Sequence, residues 1–495
     1  MPKFTEEQQK VIDVRNRDVL VSAAAGSGKT TVLVERIIQL ITDKEHPMDI
    51  DHLLVVTFTR AAAREMREKI RCAIEEQAKQ NPKDSHLKRQ AAYVFHSQIT
   101  TIDSFCNYLV KNYFYTVGIE PDFRMLDSGE YTLLESEIIN DVFEEHYAQK
   151  DEGLLHLSDA YGTKNSDVAV SNMVLELANN AMTNPWPLEW LDGLLLPYEL
   201  SSTQELATSD FIRSIEEETR IMVGEASKLF HPILEEYASY GSTKDDKAIF
   251  GDQALLTNLT EATTFEEYFS ILANCKYETL GRISKDSDSF DFHENYKNVR
   301  DEYKGIINSL KPYYEENLED ILASLHGQKE LIHTLITLTK DFLTLRYQRL
   351  EKMNAWDFSD IEHFALEILK DKTTKEPTQV AQELQKYFSE IMVDEYQDSN
   401  YLQEEILRII TKESLNQNNY FMVGDVKQSI YRFRQARPEI FSEKYSLFTT
   451  EDSIQQKIEL DKNFRSRKQV LEATNDVFLK IMKPDVGNVA YNHKV

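Results

Sequence analysis

Long apolar runs are missing from this chain of 495 residues, and without a stretch of about 18 of them no helix of the sequence spans a bilayer. The opening MPKFTEEQQK also lacks the apolar centre of a secretory signal. A soluble, cytoplasmic protein is therefore expected. Cysteine is nearly absent: Cys72, Cys106 and Cys275 lie far apart and form no C-x-x-C, so neither a disulfide framework nor a metal site follows, and buried free thiols are expected. Basic charge is scarce too, with 56 Lys and Arg against 84 Asp and Glu, a net charge of −28. Phosphate contacts need cations, so this balance argues against a nucleic-acid partner. Its distribution reverses that: residues 1–120 carry +1, 121–350 carry −24 and 351–495 carry −5. The excess acid sits in the middle, and a local basic groove remains open in the flanking segments. No internal repeat or low-complexity tract occurs, and the length suits roughly three units of about 150 residues.

The stretch Val19–Thr31, VLVSAAAGSGKTT, organises the rest. A β-branched run leads into small residues, then Gly26-Ser27-Gly28-Lys29-Thr30, then apolar positions at helical spacing. Strand, glycine loop and helix N-terminus together make a phosphate cradle from residues Ala23, Ala24, Ala25, Gly26, Ser27, Gly28, Lys29, Thr30 and Thr31. Lys29 is expected on the β and γ phosphates and the Thr30 hydroxyl on Mg²⁺. The pattern asks for glycine where Ala23 stands, which alanine fills if its φ is negative.

Ahead of the loop, Thr5 is expected to cap a short helix, and the Gln8 amide has the donor and acceptor to read an adenine edge. LLVVTFT (53–59) and ITTIDSF (99–105) each read as a strand followed by a helix, the second capped by Asp103 or Ser104. Such alternation implies a parallel sheet with ligands at the strands' carboxyl ends, where Thr57, Thr59, Thr101 and Ser104 fall. From 121 to about 350 the texture is helical, acidic and rich in Tyr and Leu, an expected all-α insertion. The α/β texture returns at Trp356. Strand 390–393 then ends in Asp394 and Glu395, the first suited to Mg²⁺ and the second to orienting or deprotonating a water. Strand 420–423 precedes Gln428, placed to sense a γ-phosphate, and Tyr431 and Phe433, which alternate with Arg432 and Arg434 as single-stranded nucleic acid binders do. In LDKNFRSR, Arg465 suits an arginine finger from a neighbouring domain.

Seven segments now stand in a familiar order. The chain resembles superfamily 1 DNA helicases of the UvrD/Rep type: FTEEQ is similar to the Q motif, AAAGSGKT to motif I, VVTFTRAAAREM to Ia, TTIDSF to Ib, VDEYQDSN to II, VGDVKQSIYRFR to III and LDKNFRS to IV. GIEPDFRMLD and AWDFSDIEHFALEIL are most similar to the A-type subunits of the AddAB/RexAB helicase/nucleases, which process double-strand breaks. The resemblance implies an α/β, RecA-like P-loop sheet (domain 1A, residues 1–120 and 351–450), a helical insertion 1B (121–350), and the start of a second RecA-like domain 2A (451–495). It implies ATP and Mg²⁺ as cofactors. Gln8 and Phe464 would sit at adenine, Lys29, Thr30 and Asp394 at phosphates and Mg²⁺, Glu395 as base, and Gln428 and Arg465 at the γ-phosphate. Phe58 and Phe433 would stack bases, within a DNA face that includes Thr57, Thr59, Arg60, Thr101, Ser104 and Tyr431. Thr31 departs from the Arg of some relatives, Ile102-Asp103 from their Phe-His, and Phe433 from their Trp.

The implied activity is 3′→5′ translocation on DNA, single-stranded or at duplex ends, beside a second helicase/nuclease subunit. A stand-alone UvrD-like repair helicase and a non-catalytic, nucleotide-gated interaction module are the alternatives. Motifs V and VI and a nuclease domain lie outside these residues. The 495-residue chain is therefore expected to bind nucleotide and turn it over poorly; full DNA-stimulated turnover in a steady-state assay would contradict this.

Overall fold

The computed structural model describes residues 4–163, 166–415, 417–482 and 491. Two compact units divide them: the first takes described residues of Met1–Glu145, Ser171–Trp190 and Thr339–Val495, the second those of His146–Val170 and Leu191–Leu338.

The first unit opens with helix α1 (Glu6–Asp13), strand β1 (Asp18–Ala23), helix α2 (Lys29–Thr42), β2 (Leu53–Thr57), α3 (Arg60–Gln80), α4 (Ser85–Tyr93), β3 (Gln98–Thr101) and α5 (Ile102–Val117). Two short strands, β4 (Arg124–Met125) and β5 (Ala355–Trp356), pair with each other. Then come β6 (Glu390–Asp394), β7 (Tyr420–Gly424) and β8 (Gln455–Leu460). Six strands form one sheet in the order β3-β2-β6-β7-β1-β8, every neighbouring pair parallel. Strands β2, β6 and β7 are buried along their whole length, which is why they read as nearly unbroken apolar runs. Helices α2 and α3 pack on the sheet through Leu33, Ile37, Ile41 and Met66, Ile70, Ile74, positions that recur every three to four residues and so share one helical face.

The register aligns the carboxyl ends. Ser22 pairs with Gly424, Asp394 with Val423, and Thr57 with Thr101. Three details differ from what the sequence suggests. The α5 cap is Thr101, whose side chain accepts from the Ser104 N–H, rather than Asp103 or Ser104, because the helix begins as soon as β3 ends. Residues 124–125 give the 121–350 segment a strand, so it is not wholly helical. Segment 451–495, expected to open a second domain, contributes β8 to the first sheet, and its residues 483–490 and 492–495 lie outside the described ones.

The second unit is helical. Helices Asp210–Tyr240, Asp246–Glu261, Phe265–Ala273 and Phe290–Leu310 enclose a core of Val223, Phe230, Leu256, Phe265, Phe292 and Tyr303. A buried carboxylate, Asp252, accepts from Arg300 Nε at 2.5 Å, Tyr296 Oη at 2.6 Å and Tyr303 Oη. The acidity of this unit is thus partly structural and internally neutralised. Among the described residues no helix is long and apolar enough to cross a membrane.

One titratable ring in the first unit is half-buried against a backbone carbonyl. His363, on helix Phe358–Leu369, donates Nε2–H to the Met182 carbonyl at 3.0 Å, and burial depresses its pKa to about 4. It is neutral in the fold and protonated in the unfolded chain below about pH 6.5. Its contribution to stability is therefore full above that pH and lost as pH falls towards 4. Urea unfolding should show about 2 kcal/mol of stability lost at this site between pH 7.5 and pH 5. His363→Gln, which keeps a donor and removes the titration, should lack that part of the slope; an unchanged slope would contradict the assignment.

Candidate functional site

The cradle follows from β1 running directly into α2. Gly26 and Gly28 adopt φ of 75° and 88°, with Gly28 at the helix cap and Lys29 the first helical residue. Left-handed backbone at both positions suits glycine. Ala23 is the last residue of β1 and pairs with Leu460 in extended conformation, so the site does not require glycine there. Ala24 is buried and Ala25 exposed; Thr30 is half-buried and Thr31 exposed. The Ser27 hydroxyl is buried with no hydrogen-bond partner, while its carbonyl accepts from Gln8 Nε2 at 2.9 Å. Gln8 also closes a capping box, its Oε1 accepting from the Thr5 N–H at 3.0 Å.

Opposite the cradle, β6 ends at Asp394, and Glu395 turns left-handed at φ 55°, ψ 44°. That conformation is strained for a residue with a Cβ. Lys29 Nζ meets Glu395 Oε2 at 3.1 Å, and Gln397 Nε2 donates to the same oxygen at 2.9 Å. Gln397 Oε1 in turn accepts from the Asp425 N–H at 2.9 Å, and Asp425 Oδ2 accepts from Gln428 Nε2 at 2.7 Å. One unbroken chain of polar contacts thus joins the cradle, the carboxylate pair and the loop after β7. Burial, reinforced by the Glu395 charge, pushes Asp394 up to about 6 and Asp398 to about 7. Gln397, Asp398 and Asp425 carry no role in the motif pattern itself; their place beside Glu395 and Gln428 within the same short motifs is the signal that points to them.

A third segment closes on the loop from β8. Asn463 Nδ2 donates to the Ala25 carbonyl at 2.5 Å, the Phe464 N–H to the Gly26 carbonyl at 2.8 Å, and Asn463 Oδ1 accepts from the Arg465 and Ser466 N–H groups. Arg465 therefore reaches the cradle on a loop of the same sheet, not from a neighbouring domain. The Phe464 ring is exposed. Asn463 is another residue that sequence reasoning misses.

The expected DNA face divides into two kinds of residue. Phe58 and Tyr431 lie 4.4 Å apart between ring centroids, Tyr431 and Phe433 5.8 Å, and the Arg434 guanidinium stands 5.4 and 5.7 Å from the last two rings. Phe433 is 75% exposed, so this aromatic and cationic run is open to solvent. Thr57 and Thr101 are buried, with hydroxyls committed to the Thr59 carbonyl and to Ser104. Thr59 caps α3, which Arg60 begins, exposed. The hydroxyls thus shape the strand ends, and the rings form the outward surface.

As to donors for a metal ion, Thr30 and Asp394 offer a hydroxyl and one carboxylate, and among the described residues no group of three or more His, Cys, Asp or Glu is arranged to hold a metal ion. A hydroxyl and a carboxylate are oxygen donors of the kind Mg²⁺ takes, one or two from protein with phosphate and water completing its shell.

Comparison with known proteins follows the same residues. The family model of the UvrD/REP helicase N-terminal domain matches residues 4–449. The A-type subunits of ATP-dependent helicase/nucleases are similar along 99% of this chain: that of Lachnoclostridium phytofermentans at 40% identity, of Clostridium beijerinckii at 38% and of Clostridium acetobutylicum at 39%. The chain spans 36% of the first relative's length and 40% of the other two.

Gly26 gives a direct test of this packing. A Cβ there would come within 2.8 Å of both Arg465 Cβ and Asn463 Nδ2, on top of the cost of a left-handed residue, about 1–2 kcal/mol. Gly26→Ala is expected to lower stability by about 2 kcal/mol or more in urea unfolding, and a neutral result would refute the close approach of the 463–466 segment.

Proposed function

Because the chain belongs to the UvrD/Rep helicase family, we propose that it is the ATP-driven motor part of a helicase/nuclease that processes double-strand breaks. It moves 3′→5′ on single-stranded DNA entered from duplex ends, beside a second helicase/nuclease subunit, in the cytoplasm. Residues 23–31 hold the triphosphate, with Lys29 on the β and γ phosphates. Gln8 and Phe464 meet the adenine. Thr30 and Asp394 hold Mg²⁺, which when bound neutralises phosphate charge. Glu395 takes the proton of the attacking water, and Gln428 and Arg465 face the γ-phosphate. Phe58, Tyr431 and Phe433 stack bases, with Arg60 and the strand-end hydroxyls of Thr57, Thr59, Thr101 and Ser104 shaping their floor. We assign residues 1–120 and 351–450 to domain 1A and 121–350 to insertion 1B, with 2A beginning within 451–495.

The observation that carries this reading is the polar chain Lys29–Glu395–Gln397–Asp425–Gln428, which ends three residues before Tyr431. A change at the γ-phosphate displaces Gln428 and, through a short loop, the base-stacking rings, so phosphate chemistry and grip on DNA are mechanically joined.

Fluorescent-nucleotide and labelled-oligonucleotide binding test this. Lys29→Ala should weaken nucleotide binding about tenfold or more and leave DNA affinity in place. Phe433→Ala should weaken single-stranded DNA binding about tenfold, the worth of one stacked base, with nucleotide binding kept. Glu395→Gln should retain nucleotide and slow single-turnover hydrolysis by about 10²-fold or more. Unchanged nucleotide binding by Lys29→Ala would overturn the reading.

A further inference from the structure

Arg36 is a charged residue buried on the inner face of α2, 2% exposed, with no part in the chemistry above. Its guanidinium reaches three other elements. Nε donates to Glu390 Oε1 at 2.6 Å, at the first residue of β6. Nη1 donates to the Val11 carbonyl at 2.7 Å, in the last turn of α1. The Phe421 ring of β7 lies 4.5 Å from its Cζ. Glu390 is buried too, its side chain 8% exposed. A buried ion pair is about as stable as apolar side chains of the same volume, so stability alone does not account for it. What the pair supplies is geometry: α2 begins at Lys29, β6 ends at Asp394, and α1 carries Gln8.

Helix α1 depends most on such ties. It has eight residues, too few to hold itself as an isolated helix. Its C-terminal carbonyls are taken up one by one: Lys10 by the Val14 N–H, Val11 by Arg36, and Ile12 by Arg15 Nη1 at 2.5 Å. Two guanidinium groups at the negative end of the helix also suit its dipole. At the other end, the Gln8 amide accepts from the Thr5 N–H and donates to the Ser27 carbonyl. One N–H and one lone pair remain, a donor and acceptor that match the N6 and N7 edge of adenine. Guanine presents two acceptors there.

We propose that Arg36 is a positioning residue for base selection: by fixing α1 against α2 and β6 it holds the free edge of Gln8 in place, so that nucleotide preference is set by a side chain remote from the nucleotide. This rests on the assignment of Gln8 to adenine. Arg36→Met with Glu390→Leu replaces the pair by apolar side chains and cuts the tie to Val11. Arg36→Lys keeps a charge for Glu390 but has a single nitrogen for two acceptors.

The test uses the 495-residue chain and a fluorescent nucleotide displaced by ATP or by GTP, with thermal melting alongside. Gln8→Ala and the double variant should each lower the ATP-over-GTP preference by about fivefold or more, the worth of one hydrogen bond, while inorganic triphosphate binds as before. Arg36→Lys should fall between. A double variant that melts cooperatively and keeps the preference that Gln8→Ala loses would overturn the role of Arg36. If Gln8→Ala itself keeps the preference, the adenine assignment fails instead. Should the double variant not fold, Arg36→Lys decides on the same ratio: unchanged preference refutes the proposal and a lowered one supports it.

Discussion

Lys29 and Glu395 are 366 residues apart in the chain and 3.1 Å apart in space. Their meeting requires β1 and β6 to lie in one parallel sheet with carboxyl ends aligned, and the register provides that through β7, which pairs with both. Parallel neighbours cannot be joined by a tight turn, so each strand end carries a loop on the same edge of the sheet. The cradle, the carboxylate pair, the Gln428 loop and the Asn463 loop all leave that edge. The ion pair is the point at which these loops become one site.

Glu395 shows how the local backbone serves this arrangement. Successive residues of a strand point to opposite faces, and two consecutive carboxylates would ordinarily diverge. The left-handed turn at Glu395 re-aims the second one, and bonds from Lys29 and Gln397 to a single oxygen hold it there. Strain of this kind persists only where neighbours over-determine it. Gln397 does so from both ends of its amide, on Glu395 and on the Asp425 N–H. A Cβ at Gly424 would collide with Gln397 Oε1, so the close approach of this amide to β7 leaves no room for a side chain.

Much of this was legible in the order of residues. The strand, glycine loop and helix around Lys29, the buried apolar strands that begin at Leu53, Glu390 and Tyr420, and the nearness of Tyr431 to Phe433 follow from local periodicity and turn chemistry. What escaped depends on apposition between distant segments. Nothing in QQKIEL says that it lies beside β1, so Arg465 was expected from another domain. Asn463 ties the Ala25 carbonyl to N–H groups of its own loop, and Gln397 ties the Glu395 carboxylate to the Asp425 N–H, contacts that become visible only once the segments are folded together. Arg36 sits in a helical apolar stripe where a charged residue breaks the pattern, a signal that becomes meaningful only with Glu390 and the Val11 carbonyl in view. Within the acidic middle of the chain, nothing local marks Asp252 as the carboxylate that is buried against Arg300 and two tyrosines.

The proposed motor requires Lys29 and Glu395 to face one nucleotide, and a crystal structure of this chain with Mg²⁺ and a non-hydrolysable ATP analogue tests that directly. The terminal phosphates are expected between Lys29 Nζ and the Glu395 carboxylate, parting the ion pair, with the adenine beside Gln8. A nucleotide bound elsewhere, with the Lys29–Glu395 contact intact, would contradict it.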